Sequence, residues 1–223
     1  DLEARTTVVR GFTKKGEPSP GYASTDAREQ RDAAYAAGIT PLLPEEMDTV
    51  RGIQAAVMAH PAAAKLFREG GIAEGSLTWE WNGMLCKGRP DFITPHYRYL
   101  LDLKSAITCN PRAVARKAFN EGWFVRAAWY MGGIKEATGT LPDKYLFVVV
   151  EKAAPHIVEI FELDDRALIY GDQIIMRTLK RAEECLRTRH WPGYGDGGIT
   201  KLALPSWTEF ERAEREEAGE FEE

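Results

Sequence analysis

Several function classes are excluded by what this sequence lacks. No run approaches the roughly 18 apolar residues that a spanning helix needs, so no membrane segment is expected. The opening DLEARTTVVRGF has no apolar core, so no secretory signal is expected there. Only three cysteines occur, Cys86, Cys109 and Cys185, far apart and odd in number. That argues against a disulfide framework and against a four-cysteine zinc or iron–sulfur site, and it fits a reducing cytoplasm. The four histidines, His60, His96, His156 and His190, form no pair at metal-ligand spacing. There is no internal repeat and no linker that demands a second domain.

What is present is enough for a core. The chain has 223 residues, 44% apolar and 10% aromatic, so disorder as a whole is excluded. Its net charge is −5, an unpromising balance for a nucleic-acid protein until it is divided. Residues 208–223 hold eight glutamates against Arg212 and Arg215, a local charge of −6, which leaves +1 for the rest. The acidity is a tail, expected to be solvated, and the body can still carry a basic surface.

Periodicity and breakers set the elements. Residues 1–40 read as largely irregular, with one helix near 27–37 and breakers at Lys14-Lys15-Gly16 and Pro18-Ser19-Pro20-Gly21. Pro44 opens a helix with an apolar stripe of Met47, Val50, Ile53, Val57 and Met58, and Pro61 starts a second, closed by Gly70-Gly71. In LTWEWNGMLCKGRPDFI two apolar-rich runs flank Asn82-Gly83, the dipeptide favoured in two-residue type I′ hairpins. YRYLLDLKS (97–105) is a third strand. Asn110 and Pro111 can start a long helix running to about Met131, with Gly132-Gly133 as its stop. The continuously apolar YLFVVVE (145–151) predicts a strand covered on both faces, paired with 156–162 and followed by a helix over 165–189. The expected fold class is α/β, a mixed central sheet flanked by helices. Residues 1–207 form one domain, followed by the acidic tail 208–223.

Chemistry concentrates at Asp102-Leu103-Lys104. Strand alternation points Asp102 and Lys104 to one face and Leu101 and Leu103 to the other. An acid-x-lysine triplet alone means little, since about one or two arise by chance in a chain this acidic. Asp91, eleven residues upstream after Gly88-Arg89-Pro90, changes the odds. Adjacent strands could bring both carboxylates to one point, and two carboxylates with a backbone carbonyl suit Mg²⁺ or Mn²⁺. The bland alternative is a solvated ion pair on a sheet face. His60 reads as structural, and Trp123 and Trp129 as core packing.

The string AEGSLTW…GMLCKGRPDFIT…LLDLKSA…NEGWFVRAAWY resembles the PD-(D/E)xK nucleases, specifically the exonuclease VIII-like family of phage recombination nucleases. The likeness runs over roughly residues 35–207 and takes in Cys185, HWPGY (190–194) and Leu204-Pro205-Ser206-Trp207. It implies a restriction-endonuclease-like core. It also implies Asp91 and Asp102 as metal carboxylates, the Leu103 carbonyl as a further metal ligand, and Lys104 as the catalytic lysine. Glu74 takes the preceding acidic position, serving a second metal or its waters, with Glu80 as a rival. Arg126 and Tyr130, one turn apart, occupy a family segment that usually carries glutamine where this chain has Arg126. With Arg89, Arg112, Arg116 and Lys117 they are candidate DNA contacts. The family's helical histidine ligand is not found.

The activity implied is Mg²⁺- or Mn²⁺-dependent exonuclease digestion of linear double-stranded DNA, 5′ to 3′, in phage-type recombination. Implied partners are DNA, a single-strand annealing protein and further copies in a ring; for a phage-encoded chain the compartment is the host cytoplasm. Two alternatives remain open. One is a Cas4-like nuclease acting on single strands; the other is a non-catalytic DNA-binding or assembly module that keeps the fold.

Overall fold

Prolines and capping side chains start most of the helices at the positions the sequence marks. In the computed structural model, which describes residues 2–195 and 197–217, a single turn α1 (Leu2–Arg5) leads into β1 (Thr6–Val8). Helix α2 (Thr25–Ala36) is capped by Ser24, whose hydroxyl accepts from the Ala27 N–H, and β2 (Thr40–Leu42) then pairs in parallel with β1. The first forty residues are thus more regular than expected. The two three-residue strands depend on each other across 34 residues, and nothing local marks them.

Pro44 is the first residue of α3 (Pro44–Ala59), and the Glu46 carboxylate accepts from the Leu43 N–H at 2.8 Å. His60 caps α4 (Pro61–Arg68): its Nδ1 accepts from the Ala63 N–H at 3.2 Å, the structural role expected of it. Gly70 and Gly71 end that helix, both at positive φ.

The sheet region follows as β3 (Ile72–Ala73), β4 (Leu77–Trp81), β5 (Met84–Gly88), β6 (Phe92–Ile93) and β7 (Tyr99–Ala106). Asn82 and Gly83 join β4 to β5 with φ of 47° and 78°, as a type I′ turn requires. This hairpin is a sheet of its own. The central sheet has the order β3-β6-β7-β8-β9, with β8 (Lys144–Glu151) and β9 (Val158–Glu162). Only the β7–β8 pair is parallel, so the sheet is mixed, as expected.

The crossover between β7 and β8 is two helices rather than the single long one predicted: α5 (Pro111–Asn120) and α6 (Trp123–Thr138). Gly122 lies between them at φ 66°, in the left-handed region that breaks a helix. The predicted stop at Gly132-Gly133 is also corrected, because α6 runs through both and ends at Gly139, φ 77°. Gly133 serves packing: a Cβ there would sit 2.7 Å from the Trp79 ring, so the bare backbone lets the hairpin lie against α6.

Asp164 caps α7 (Asp165–Thr188) by accepting from the Ala167 N–H at 2.8 Å. Gly171 repeats the device of Gly133. A Cβ on it would lie 2.4 Å from the Phe124 carbonyl oxygen, which belongs to α6 backbone and cannot swing aside. Gly171→Ala is therefore expected to destabilise, because overpacking of about 1–3 kcal/mol outweighs the roughly 1 kcal/mol that alanine gains in helix propensity. A melting curve followed by circular dichroism reads this as a lower midpoint; an unchanged or raised one would show that α6 and α7 can separate freely.

One face of the central sheet packs Leu100, Tyr145, Phe147 and Val149 against Trp123, Ala127 and Ile134 of α6. The other face packs Val148, Val150 and Val158 against Val57 of α3 and Ala63 of α4. With both faces covered, β8 is apolar without alternation, as its sequence predicts.

By contacts the chain divides into two compact units, one ending at Leu179 and one beginning at Lys180. The second holds the end of α7 and α8 (Trp207–Glu217). The acidic run is helical as far as it is described, with Arg215–Glu211 and Arg212–Glu216 ion pairs at i, i+4 and no buried residue. Residues 218–223 lie outside the described residues. Among the described residues no helix is long and apolar enough to cross a membrane.

Candidate active site

Strand register at Pro90 sets the centre of the site. β6 and β7 pair antiparallel with Phe92 opposite Leu101, and the Thr94 N–H donates to the Tyr99 carbonyl. One step further along the ladder Leu103 faces Pro90, which has no N–H to give. The Leu103 carbonyl therefore receives no ladder bond from that position. The Leu103 N–H turns instead to the Asp91 carboxylate, donating to Oδ2 at 2.9 Å. The Asp91 carbonyl accepts from the Glu74 N–H at 2.9 Å, fixing the chain on its other side. A proline just before Asp91 thus ends pairing and docks that carboxylate on the Asp102-Leu103-Lys104 strand.

Asp102 is 1% exposed and is the one ionisable side chain in the buried core among the described residues. A buried carboxylate is tolerated only when its oxygens are satisfied. Oδ1 takes the Lys104 ammonium; Oδ2 takes the Tyr145 hydroxyl at 2.9 Å and the Arg126 guanidinium at 3.5 Å. The predicted alternation holds, since Lys104 shares the face of Asp102 while Leu103 turns toward Val50, Ile53 and Val57 of α3.

Burial, followed by the neighbouring Arg126 charge, pulls the Lys104 ammonium down to about 8, while Asp91 and Glu121 act to hold it up. Its Nζ also lies 5.8 Å from the centre of the Trp123 ring. Glu121 accepts from Lys117 at 2.5 Å and from the Trp123 indole at 3.0 Å, which keeps its own carboxyl below the usual range. Burial and the Asp91 charge push the Tyr145 phenol up, so it stays a hydrogen-bond donor to Asp102. Tyr145 and Glu121 were not foreseen from the sequence. The signal for Tyr145 was a single hydroxyl inside an otherwise apolar strand.

The other predicted residues fall into two groups. Glu74 and Arg89 form an ion pair at 2.9 Å beside Asp91, so both belong to the site's rim. Its rival Glu80 lies opposite Leu85 in the separate hairpin and is exposed. Tyr130, one turn after Arg126 on α6, packs against Gly88 and has its ring 6.4 Å from that of Tyr145. Lys117 is turned to Glu121, whereas Arg112 and Arg116 stand exposed on α5 and are not brought to the carboxylates. Trp123 is core, stacked on Phe147 at 4.9 Å; Trp129 rests on Trp79 and donates to the Lys87 carbonyl at 3.1 Å.

Among the described residues no three His, Cys, Asp or Glu side chains gather to hold a metal. The available donor set is two carboxylates, Asp91 and Asp102, with the Leu103 carbonyl. All are oxygens, the set that suits a hard cation such as Mg²⁺ or Mn²⁺. The residues fit such an ion in charge and type, and Lys104 and Arg126 would compete with it for Asp102.

Residues 28–200 match the family described as a PDDEXK-like domain of unknown function, DUF3799. No sequence among the curated proteins matches this chain. Among solved structures, a candidate exonuclease from Eubacterium rectale shares the fold with a TM-score of 0.57 at 14% identity, over 81% of this chain and 71% of that one. An alkaline exonuclease from Laribacter hongkongensis aligns with a TM-score of 0.29 at 13% identity, over 75% of this chain and 86% of the other. The family match covers well over half of the residues, and the mixed sheet with Asp91, Asp102 and Lys104 at one point is what a PD-(D/E)xK core requires: the chain belongs to the PDDEXK-like DUF3799 family.

Proposed function

We propose that this chain is a divalent-metal-dependent deoxyribonuclease that degrades linear double-stranded DNA from an end. The observation that carries the reading is the Asp91–Leu103 hydrogen bond of 2.9 Å, which ties the first carboxylate to the strand bearing Asp102 and Lys104.

Asp91, Asp102 and the Leu103 carbonyl would hold Mg²⁺ or Mn²⁺. Bound there, such an ion supplies Lewis acidity toward a phosphate oxygen and lowers the pKa of a coordinated water. The protein's own groups do the rest. Lys104 faces the same point and orients the attacking water. Tyr145 holds Asp102 in one orientation through its hydroxyl. Arg126 is 47% exposed along its side chain, so its guanidinium can leave Asp102 for a substrate phosphate, which it can grip with two N–H groups. Glu74 is placed to order waters at the Asp91 side, with Arg89 beside it for the backbone. No nucleophilic side chain is needed.

The family likeness suggests 5′ to 3′ digestion that leaves a 3′ overhang, in recombination, with a ring of copies and a single-strand annealing protein as partners. The test is Mg²⁺-dependent release of nucleotides from linear duplex, set against circular duplex and single strands. Release from linear duplex alone supports the reading. Preference for single strands favours the Cas4-like alternative. Tight DNA binding with no release in Mg²⁺ or Mn²⁺ favours a binding module, the outcome expected if Arg126 keeps its hold on Asp102.

Arg126 also yields a sharper expectation. Arg126→Gln should weaken duplex binding and flatten its dependence on salt by about one phosphate contact, near 0.9 in the log–log slope. Binding titrations from low to moderate salt measure it, and an unchanged slope would leave Arg126 as a partner of Asp102 alone.

A further inference from the structure

Phe119 is an aromatic ring with no core to enter. It sits at the end of α5, is 65% exposed, and is nevertheless held in place. Its ring stacks on Phe124 with centroids 5.9 Å apart and planes 12° from parallel. Phe124 in turn stacks on Tyr170 at 5.3 Å and 10°. Three near-parallel rings therefore form one column, anchored by the buried Phe124 and open to solvent at Phe119. Such offset stacks are favourable in themselves, and an exposed ring fixed this way has already lost its rotational freedom.

The rest of the helix gives the column its company. On α5, Arg112, Arg116 and Phe119 follow at spacings of four and three, so they share one face, and all three are exposed. Among the described residues no carboxylate pairs with Arg112 or Arg116. Lys117, by contrast, is neutralised by Glu121. The same helix end adjoins the site, since Glu121 and Lys117 both act on the charge of Lys104. A row of two cations and one immobilised aromatic face is the pattern that binds an unpaired strand: guanidinium groups meet phosphates, and a base extends the ring stack. Duplex would offer α5 its phosphates but no free base face. An acidic protein would meet the arginines and leave the ring idle.

We propose that the exposed face of α5 receives a single DNA strand, with Arg112 and Arg116 on its phosphates and one base stacked on Phe119. The inference rests on the reading of this chain as a DNA enzyme, and it places unpaired nucleotides beside the catalytic residues.

The full chain in EDTA, where metal-dependent cleavage is blocked, is titrated with labelled oligothymidylate of about 12 nucleotides and with an abasic strand of the same length. Phe119→Ala should lose about 5- to 100-fold in affinity for oligothymidylate, with no change in salt slope and no loss on the abasic strand. Phe119→Trp should restore binding. Arg112→Gln with Arg116→Gln should lower the salt slope by about 1.4 on both strands. Equal affinity of Phe119→Ala and wild type, or an equal loss on the abasic strand, would overturn the stacking role. If the arginine variants alter neither slope, the strand does not run along α5. Cleavage of linear duplex is assayed separately in Mg²⁺, so an inactive protein that still stacks bases would sink the nuclease reading and leave this one standing.

Discussion

Asp102→Asn should end hydrolysis, by on the order of a thousandfold or more, without unfolding the chain. Asparagine keeps the volume of the buried side chain and an oxygen that can accept from the Tyr145 hydroxyl. What it removes is the negative charge that balances Lys104 and would bind a cation. Lys104 is largely buried, and losing its partner leaves that ammonium facing the Arg126 charge with less to offset it. Removing one member of a buried pair is costly, about 3–5 kcal/mol in the fully buried limit, and the partial exposure of Lys104 should reduce that. Urea unfolding should therefore show a loss smaller than this, with a cooperative transition retained. Metal titration should show weakened binding. A variant that cleaves linear duplex at the wild-type rate would remove Asp102 from the chemistry and with it the proposed site.

The sequence was most legible where one residue type has one physical use. Asn82-Gly83 predicted a type I′ hairpin because few pairs tolerate two positive φ values, and that turn is present. YLFVVVE predicted a doubly covered strand, and Val148 and Val149 indeed pack into cores on opposite faces. Asp102 and Lys104 were placed on one face by alternation alone. Glycine was less legible, because it has several uses. Gly132-Gly133 looked like a helix stop but is a docking surface for Trp79, while Gly122, unremarked, breaks the crossover into α5 and α6. The packing use depends on a partner 54 residues away, and no local pattern reports it.

The site shows the same division. Asp91, Asp102 and Lys104 could be named from their motif, and Pro90 could be read as the end of a ladder. The consequence of Pro90, a Leu103 N–H redirected to the Asp91 carboxylate, needed the β6–β7 register. Tyr145 was hidden by its strand: in a run chosen for burial its ring looks like one more apolar group, and only the parallel pairing with β7 brings its hydroxyl to Asp102. Glu74 and Arg89 were each assigned a separate task, and their ion pair makes them one feature at the rim.

Lys104→Met is expected to separate chemistry from metal binding. The lysine is no metal ligand, so the two carboxylates and the Leu103 carbonyl remain, and one cation competing for Asp102 is removed. Mn²⁺ affinity should hold or rise. Hydrolysis of linear duplex should fall by about a hundredfold or more, the usual loss when a positioned acid–base group is deleted. Methionine suits the place it fills, against the Trp123 ring, so thermal stability should change little. Parallel measurements of Mn²⁺ binding and nucleotide release decide between the two possible roles. A variant that keeps the wild-type rate would make Lys104 a counter-charge for Asp102 and nothing more. Loss of Mn²⁺ binding together with activity would mean that the amine holds the carboxylate in its binding geometry, and the water-orienting role assigned to it would fall.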